Sequence, residues 1–268
     1  MKTQKSIMNI PTIKHVPTLV LLFGISALPL PNCKAATVFD DFAAGDTSGA
    51  SILGSTPIVG GVWQGNDSGT LFQYGGNSAG HTEVTSTSMY TDGSARSIYS
   101  IFTSTLGAGQ ELTLSYNLIG FGNGLPSSGG FAGVSLYSGI TSANSDGTQN
   151  GGSEQEFVGE PFGSSQIGVD SAISGQHLSG NTTVPTLLTF TYLYDTGAWT
   201  FTSTGGINMS GTGAAGVALN SLQIHNGSGG DIDLNNLAVN ISAVPEPSSF
   251  GLVGAGVGLI LAIRRRMA

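Results

Sequence analysis

The middle of this 268-residue chain has almost no positive charge. Between residues 36 and 243 lysine is absent and Arg96 is the single arginine, beside fifteen Asp and Glu residues, so the formal charge is 1 − 15 = −14. A surface of this sign repels phosphate groups, which argues against nucleic acid and anionic lipid headgroups as partners. Neutral sugars and cations such as calcium remain compatible with it.

Cysteine is nearly absent as well, since Cys33 is the only one. It lies in an N-terminal segment built like a secretory signal peptide, with three lysines in the first fourteen residues, an apolar run over 19–30 and small residues around Ala35. Cleavage after Ala35 by signal peptidase would remove the cysteine, so the mature protein would have no disulfide and no thiolate. We therefore expect residues 1–35 to be a signal peptide.

Long helix-forming stretches are also missing, while glycine is abundant, with 42 residues. Short runs of β-branched and aromatic residues alternate with Gly, Asn and Asp turns, which predicts a dozen or so short strands. The clearest alternation covers residues 111–118, and the best hairpin joins 187–194 to 198–203 through Asp195-Thr196-Gly197. Further predicted strands cover 38–42, 71–74, 97–103, 131–137, 157–158, 166–169, 217–224 and 231–241.

This pattern predicts an all-β fold for residues 36–243. Many short strands with regularly spaced turns are typical of a two-sheet antiparallel β-sandwich of the jelly-roll type. On the second strand of the hairpin, Trp199 and Phe201 fall on one face, which favours a place in the core.

Residues 244–268 have a different character from the rest of the chain. Pro245, Glu246 and Pro247 precede an uncharged segment over 250–263, and Arg264, Arg265 and Arg266 follow it. As a helix this segment would reach ~21 Å, short of a ~30 Å hydrocarbon core, so its length alone makes a marginal span. The arginines favour a cytoplasmic position for that end, and the two prolines keep the triplet extended and outside the membrane.

This order of parts resembles the PEP-CTERM sorting signal, which combines a Pro-Glu-Pro triplet, a short Gly-rich transmembrane helix and a terminal basic cluster. In that family a membrane-embedded exosortase recognises the tail and is thought to cut near the triplet. The resemblance implies an exported protein that the C-terminal helix anchors transiently in the inner membrane before it reaches the cell surface or an exopolysaccharide matrix. An ordinary C-terminal anchor is the alternative.

A second resemblance concerns the domain between the two ends. Residues 39–42 (Phe-Asp-Asp-Phe), 60–65 (Gly-Gly-Val-Trp-Gln-Gly), 151–154 (Gly-Gly-Ser-Glu) and 157–159 (Phe-Val-Gly) resemble segments of laminin-G or concanavalin-like lectin domains. The resemblance implies a lectin-like β-sandwich and carbohydrate as a ligand. Aromatic side chains that could stack on sugars are Trp63, Trp199, Tyr192 and Tyr194.

Glu154 and Glu156 form the closest pair of glutamates. On one regular strand they would share a face about 6.6 Å apart, near the separation that glycoside hydrolysis uses. The segment resembles the Glu-x-Asp-x-x-Glu strand of laminarinase-like glycoside hydrolases, except that Glu156 replaces the Asp and Glu160 comes one residue late. We interpret the chain as a non-catalytic protein whose ligand site could include these glutamates. A secreted glycoside hydrolase or lyase and a purely structural matrix protein are the alternatives.

Calcium is the cofactor that the sequence suggests. Asp146, Thr148 and Asn150 alternate as oxygen donors in the manner of a calcium loop, although Phe157 stands where a closing glutamate is expected. A second group would form if the first and last strands were neighbours, and it consists of Asp40, Asp41, Asp231 and Asp233. Ordinary turn chemistry explains the same residue types.

Overall fold

The computed structural model describes residues 35–42, 52, 56–65, 72–74, 82–84, 96–120, 130–143, 149–161, 166–179, 186–227 and 232–244. Within these ranges the chain forms seventeen β-strands and no helix. They are β1 (Ala35–Asp40), β2 (Gln64–Gly65), β3 (Phe72–Tyr74), β4 (Thr82–Val84), β5 (Arg96–Ile101), β6 (Gln110–Gly120), β7 (Phe131–Ser138), β8 (Ser142–Ala143), β9 (Gln149–Asn150), β10 (Ser153–Glu160), β11 (Gly168–Asp170), β12 (His177–Leu178), β13 (Thr186–Leu193), β14 (Ala198–Ser203), β15 (Asn208–Thr212), β16 (Leu219–Gly227) and β17 (Ile232–Ala243).

The strands pair into two large antiparallel sheets. The first sheet has the order β15–β14–β13–β6–β17–β4–β3, and β1 also pairs with β17. The second sheet has the order β12–β11–β10–β7–β16–β5–β2, and β8 and β9 form a separate small hairpin. The predicted all-β, two-sheet antiparallel fold is therefore confirmed.

One hydrophobic core joins the two sheets. The core cluster includes Leu114 of the first sheet and Val134 of the second, both fully buried. Tyr116 of β6 also donates a hydrogen bond of 2.8 Å to the carbonyl oxygen of Val158 in β10, which links the sheets through the core. The inward side of each sheet is therefore the apolar one, and its outward side is left for polar residues.

The strands with the strongest alternation in the sequence have the predicted faces. In β6 the buried residues are Leu112, Leu114, Tyr116 and Leu118. The β13–β14 hairpin is present, and its first strand begins and ends one residue earlier than predicted. Trp199 and Phe201 of its second strand are buried in the core. Period-two patterning thus located both the strands and their inward sides.

In the last strand the inward-facing positions change from even to odd residue numbers part of the way along. Leu234 and Leu237 are both buried although they are three residues apart, and the register of β17 against β6 shifts between Asn235 and Ala238. Asn236 has φ 50, the left-handed conformation that Asn tolerates better than most residues. This bulge lets both halves of β17 direct apolar side chains inward.

The described part of the chain contains no helix long and apolar enough to cross a bilayer. Residues 1–34 of the predicted signal peptide (1–35) lie outside the described residues, and Ala35 is the first residue of β1. The Pro-Glu-Pro triplet, the apolar segment over 250–263 and the three arginines also lie outside the described residues.

Candidate functional site

A line of directly paired residues crosses six strands of the second sheet on its outward side. At ~4.8 Å between strands the line is roughly 24 Å long. The residues that alternate with it, such as Val134 and Ile224, belong to the core, so the line faces away from the core. In strand order from β11 to β2 its members are Asp170, Phe157, Ser135, Gln223, Tyr99 and Gln64.

A second, shorter line runs beside the first. Glu154 of β10 lies opposite Tyr137 of β7, which lies opposite Ser221 of β16. The Tyr137 hydroxyl donates a hydrogen bond of 3.2 Å to Glu154 Oε2. We call the residues of the two lines, from Asp170 to Gln64 and from Glu154 to Ser221, the polar face.

Two side chains of the polar face keep oxygen atoms without hydrogen bonds. Gln223 is 8% exposed and Ser221 is fully buried. Among the residues that the structure describes, neither Gln223 Oε1 nor Ser221 Oγ has a hydrogen-bond partner. Such groups are rare in folded proteins because each one loses its hydrogen bonds to water on burial and gains no hydrogen bond within the protein. They therefore identify the centre of the polar face as buried, with its hydrogen bonding incomplete.

The carboxyl group of Glu154, next to this centre, has a raised pKa. Burial raises the pKa of Glu154, and repulsion from Asp170 acts in the same direction. Hydrogen bonds from Tyr137 and Ser135 oppose this increase by stabilising the carboxylate. The described charged side chains of the polar face, Glu154 and Asp170, are both acidic, so the face favours ligands without negative charge.

An aromatic ring also belongs to the polar face. Phe157 lies against Gly133 of the neighbouring strand, where an added Cβ would be 2.6 Å from the ring. Phe131 contacts the same ring edge to face, with 6.3 Å between the ring centroids. Glycine at position 133 is therefore what allows Phe157 to lie flat across β7.

The prediction that Glu154 and Glu156 share a face is wrong. The register shifts between them, so Glu154 lies opposite Tyr137 while Glu156 lies opposite Leu136, the adjacent residue on β7. Gln155 is the extra residue of this bulge. Glu156 consequently points into the sandwich, where it is fully buried and accepts a 3.0 Å hydrogen bond from the Ser174 backbone N–H.

The structure also corrects two of the predicted sugar-stacking aromatics besides Trp199, which lies in the core. Trp63 is fully buried and donates its ring N–H to Asp40 Oδ2 at 2.8 Å. Tyr192 is fully buried too, and its hydroxyl donates to the Ala214 carbonyl oxygen at 2.7 Å. Their ring faces are occupied by the core, so neither can stack on a sugar. Tyr194 is partly buried against the core and stays a prediction.

The second calcium group does not come together as predicted. β1 and β17 are neighbours, but Asp40 lies opposite Leu237, whereas Asp233 is four residues, or roughly 13 Å, further along β17. Both carboxylate oxygens of Asp40 accept hydrogen bonds, from the Phe42 N–H and the Trp63 ring N–H. Asp40 is therefore a buried structural residue that does not suit a metal ligand.

The structure describes only part of the first predicted calcium group. Asp146, Thr148 and also Asp231 lie outside the described residues, and Asn150 is in β9. Within the described ranges no group of three or more His, Cys, Asp or Glu side chains is placed to hold a metal ion. Calcium at Asp146, Thr148 and Asn150 stays a prediction.

Gln223, Tyr99, Tyr137 and Ser221 were not singled out in the sequence. Each is an ordinary polar position on a strand, and what brings them together is pairing between β5, β7 and β16, which are far apart in the chain. The alternation of 221, 223 and 225 opposite the apolar 222 and 224 was the available local signal.

Solved structures with a similar fold include lectins. The T. cruzi calreticulin globular domain is 10% identical, with a TM-score of 0.42, and the match covers 86% of this chain and 95% of that one. Lectin II from Ulex europaeus is 10% identical over 68% of this chain and 92% of its own, with a TM-score of 0.40. The Ca2+/Man-bound VIP36 exoplasmic/lumenal domain is 11% identical over 73% and 86%, with a TM-score of 0.41. At these identities the similarity concerns the fold alone.

Among curated proteins no relative is similar to this chain in sequence. The C-terminal segment, in contrast, gives a definite match over residues 243–266. This range contains the Pro-Glu-Pro triplet, the apolar segment and the three arginines. Residues 243–266 are therefore a PEP-CTERM protein-sorting motif, as the sequence predicted.

Proposed function

We propose that this chain is an exported, non-catalytic protein that an exosortase sorts through residues 243–266 to the cell surface or an exopolysaccharide matrix, where the polar face binds carbohydrate. The observation that carries the proposal is the PEP-CTERM motif. The acidic composition of residues 36–243 and the partly exposed polar groups of Gln64, Tyr137, Glu154 and Asp170 support a neutral, hydroxyl-rich ligand.

The order of the chain supports processing at the triplet. β17 ends at Ala243, and the Val244 N–H still donates a 2.8 Å hydrogen bond to the Gly109 carbonyl oxygen. Pro245 follows at once in the sequence, so the last described strand ends where the motif begins. A cut after the triplet would leave every described strand intact.

The sorting role of Glu246 can be tested by replacement with alanine in a host that contains an exosortase. We expect the Glu246→Ala protein to stay full length in the membrane fraction, while the wild-type protein is shortened and reaches the surface. Glu111→Ala, which removes a carboxylate from β6, is the matched control and should be processed normally. Processing of the Glu246→Ala variant at the wild-type rate would contradict the proposed sorting.

Carbohydrate binding can be tested by applying the full chain to immobilised neutral and acidic polysaccharides, with and without calcium. We expect retention on at least one neutral polysaccharide, and the calcium dependence would report on Asp146, Thr148 and Asn150. Retention on none of them would contradict the carbohydrate part of the proposal and favour a purely structural matrix protein.

A second candidate function is a secreted glycoside hydrolase. It is favoured by Glu154 and Asp170, which share the polar face, with the pKa of Glu154 raised as a general acid requires. Hydrolysis of a bound glucan that disappears in both Glu154→Gln and Asp170→Asn, with binding retained, would replace the non-catalytic proposal.

A further inference from the structure

We propose that β15, the strand at one end of the first sheet, pairs antiparallel with β15 of a second copy of this chain, so that the sheet continues from one copy into the other across a twofold axis. The proposal concerns how two copies associate, and it does not depend on carbohydrate binding.

β15 has a free side for such pairing. It stands at the end of the strand order, and β14 is its one partner among the described strands. None of its five residues is buried, and Asn208, Ser210 and Thr212 are exposed. The other strands that end the two strand orders are shorter, because β3 has three residues and β2 and β12 have two each. Short length, charge and proline commonly protect an edge strand from other chains, and β15 has none of these protections.

The free side of β15 carries the backbone groups of its even-numbered residues. In an antiparallel pair, alternate residues direct both their N–H and C=O groups to the partner strand, and the residues between them direct both groups away. At one end of the β14–β15 pair, the Ser203 N–H donates to the Ile207 carbonyl oxygen at 3.0 Å. At the other end, the Gly213 N–H donates to the Gly197 carbonyl oxygen at 2.9 Å. The odd-numbered residues of β15 therefore bond to β14, and the even-numbered ones present N–H and C=O groups at the edge of the sheet.

These edge groups favour one register with a second copy. If Ser210 lies opposite Ser210 of the second copy, Asn208 of each copy lies opposite Thr212 of the other, and all three even-numbered residues exchange hydrogen bonds at once. A shift by two residues leaves one of them unpaired in each copy. A shift by one residue sets edge groups against groups that already bond to β14. The best register is therefore symmetric, as in a closed twofold dimer in which one patch meets itself.

The same register brings side chains of complementary size together on the inward side of the edge. Met209 would lie opposite Gly211 of the second copy, in a close pair with about 4.5 Å between the Cα atoms. Met209 is half-buried at the border of the core. Gly211 lies against the Trp199 ring, where an added Cβ would be 2.7 Å from the ring. Because glycine has no side chain to compete for this position, Met209 of the second copy can approach the ring of Trp199, and contacts between sulfur and aromatic rings are favourable.

Charge also favours this edge as the meeting place of two copies. Between residues 171 and 230 Asp195 is the one Asp, Glu, Lys or Arg, although residues 36–243 together have a formal charge of −14. Two such acidic domains repel each other, most strongly where their carboxylates come within a Debye length of about 8–10 Å. β13, β14 and β15 contain no charged residue, so pairing through β15 brings two copies together with little repulsion.

Disulfide cross-linking of the full chain tests the register. Cys33 is first replaced by serine, and single cysteines are then introduced in β15 and oxidised mildly in a nonionic detergent. Ser210→Cys should form a covalent dimer, because the two Cα atoms would be about 5.5 Å apart. Asn208→Cys or Thr212→Cys alone should not, because each would be roughly 14 Å from the same residue of the second copy. Both cysteines in one chain should restore the covalent dimer.

Ser210→Pro tests whether the backbone makes the contact. The Ser210 N–H faces away from β14, so the free protein loses no hydrogen bond with it and Tm should change little. In the chain with both Asn208→Cys and Thr212→Cys, we expect this proline to lower the yield of covalent dimer about tenfold. Ser210→Ala keeps the N–H and is the matched control, which should cross-link as the parent chain does.

The outcomes decide the proposal independently of the carbohydrate tests. Equal cross-linking by the three single cysteines would show that the copies are held together elsewhere, for example by the apolar segment over 250–263, and would overturn the pairing. No covalent dimer from Ser210→Cys, or an undiminished yield with Ser210→Pro, would also overturn it. A large fall in Tm for Ser210→Pro would mean that this N–H bonds within one copy, which contradicts the open edge.

Discussion

Replacing Asp40 by alanine is expected to lower Tm by about 6–12 °C. Asp40 is 5% exposed, and its two oxygens accept the Phe42 N–H at 3.0 Å and the Trp63 ring N–H at 2.8 Å. Phe42 has φ 51, so this hydrogen bond holds a left-handed, nonglycine residue in the core. Leaving two buried donors without a partner costs about 3 kcal/mol, and each kcal/mol corresponds to about 2–4 °C for a domain of this size.

Thermal unfolding followed by circular dichroism would measure this change, with Asp195→Ala as the control. Asp195 accepts one exposed hydrogen bond, from the Gly109 N–H at 2.8 Å, so its loss should shift Tm by only about 1–3 °C. The Asp40→Ala decrease should be the same with calcium or with a chelator. A decrease that is seen only when calcium is present would restore Asp40 as a metal ligand.

Glu156 is the second position with a large expected effect, because its surroundings indicate a neutral carboxyl. Ser174 Oγ lies 2.7 Å from Glu156 Oε1 and 2.7 Å from the Gly175 carbonyl oxygen. A hydroxyl has one proton and can donate to only one of them. If the carboxyl is protonated, it donates to Ser174 Oγ, which then donates to Gly175, and every group is satisfied. Burial raises the pKa of Glu156 well above its ordinary value, in agreement with this arrangement.

Such a carboxyl makes stability depend on pH in a defined direction. Between its unfolded pKa, near 4.5, and its raised folded pKa, the folded state binds more protons than the unfolded state. The stabilisation is therefore complete below about pH 4.5 and is lost as the pH rises through the folded pKa. Glu154, whose pKa is also raised, adds a contribution of the same sign.

We expect Glu156→Gln to raise Tm at pH 7, by about 2–4 °C for each kcal/mol of ionisation penalty that it removes. Its amide can donate to Ser174 Oγ and accept the Ser174 N–H as the protonated acid does. At pH 4.5 the variant and the wild-type protein should unfold at nearly the same temperature, so the slope of Tm against pH becomes smaller.

Ser174→Ala distinguishes ionisation from simple loss of a contact. It should lower Tm at all pH values and leave the slope in place, because Glu156 remains buried. A Glu156→Gln variant that is less stable than the wild-type protein at pH 7 would show that the carboxylate is ionised in the folded state.

The sequence predicted the fold class because the signals it needs are local. Leu112, Leu114, Tyr116 and Leu118 alternate without interruption, and the β13–β14 hairpin has a short turn at Asp195-Thr196-Gly197. Hydrophobic burial decides the inward side of such strands whatever their partners are. The PEP-CTERM motif was equally accessible, since its three parts are contiguous.

The candidate site could not be predicted in the same way. A bulge at Gln155 places Glu156 on the opposite side of the sheet from Glu154, and nothing in the sequence of that strand indicates the extra residue. The polar face depends on which strands are neighbours, and Tyr99, Ser135 and Gln223 meet only because β16 lies between β5 and β7. Register across distant strands is a property of the whole sheet, so local periodicity does not contain it.

The position of β17 has a consequence for the order in which this protein can be assembled. It lies in the interior of the first sheet, with β6 on one side and β1 and β4 on the other, yet it is the last described strand. During synthesis, the edges of β1 and β6 that pair with β17 therefore lack their backbone hydrogen bonds until residues 232–243 have emerged. The first sheet is completed only by the segment directly before the sorting motif. Premature termination before residue 232 would leave β1 and β6 without this partner strand and prone to aggregation. Only a chain that has been synthesised almost as far as the sorting motif can therefore complete the native fold.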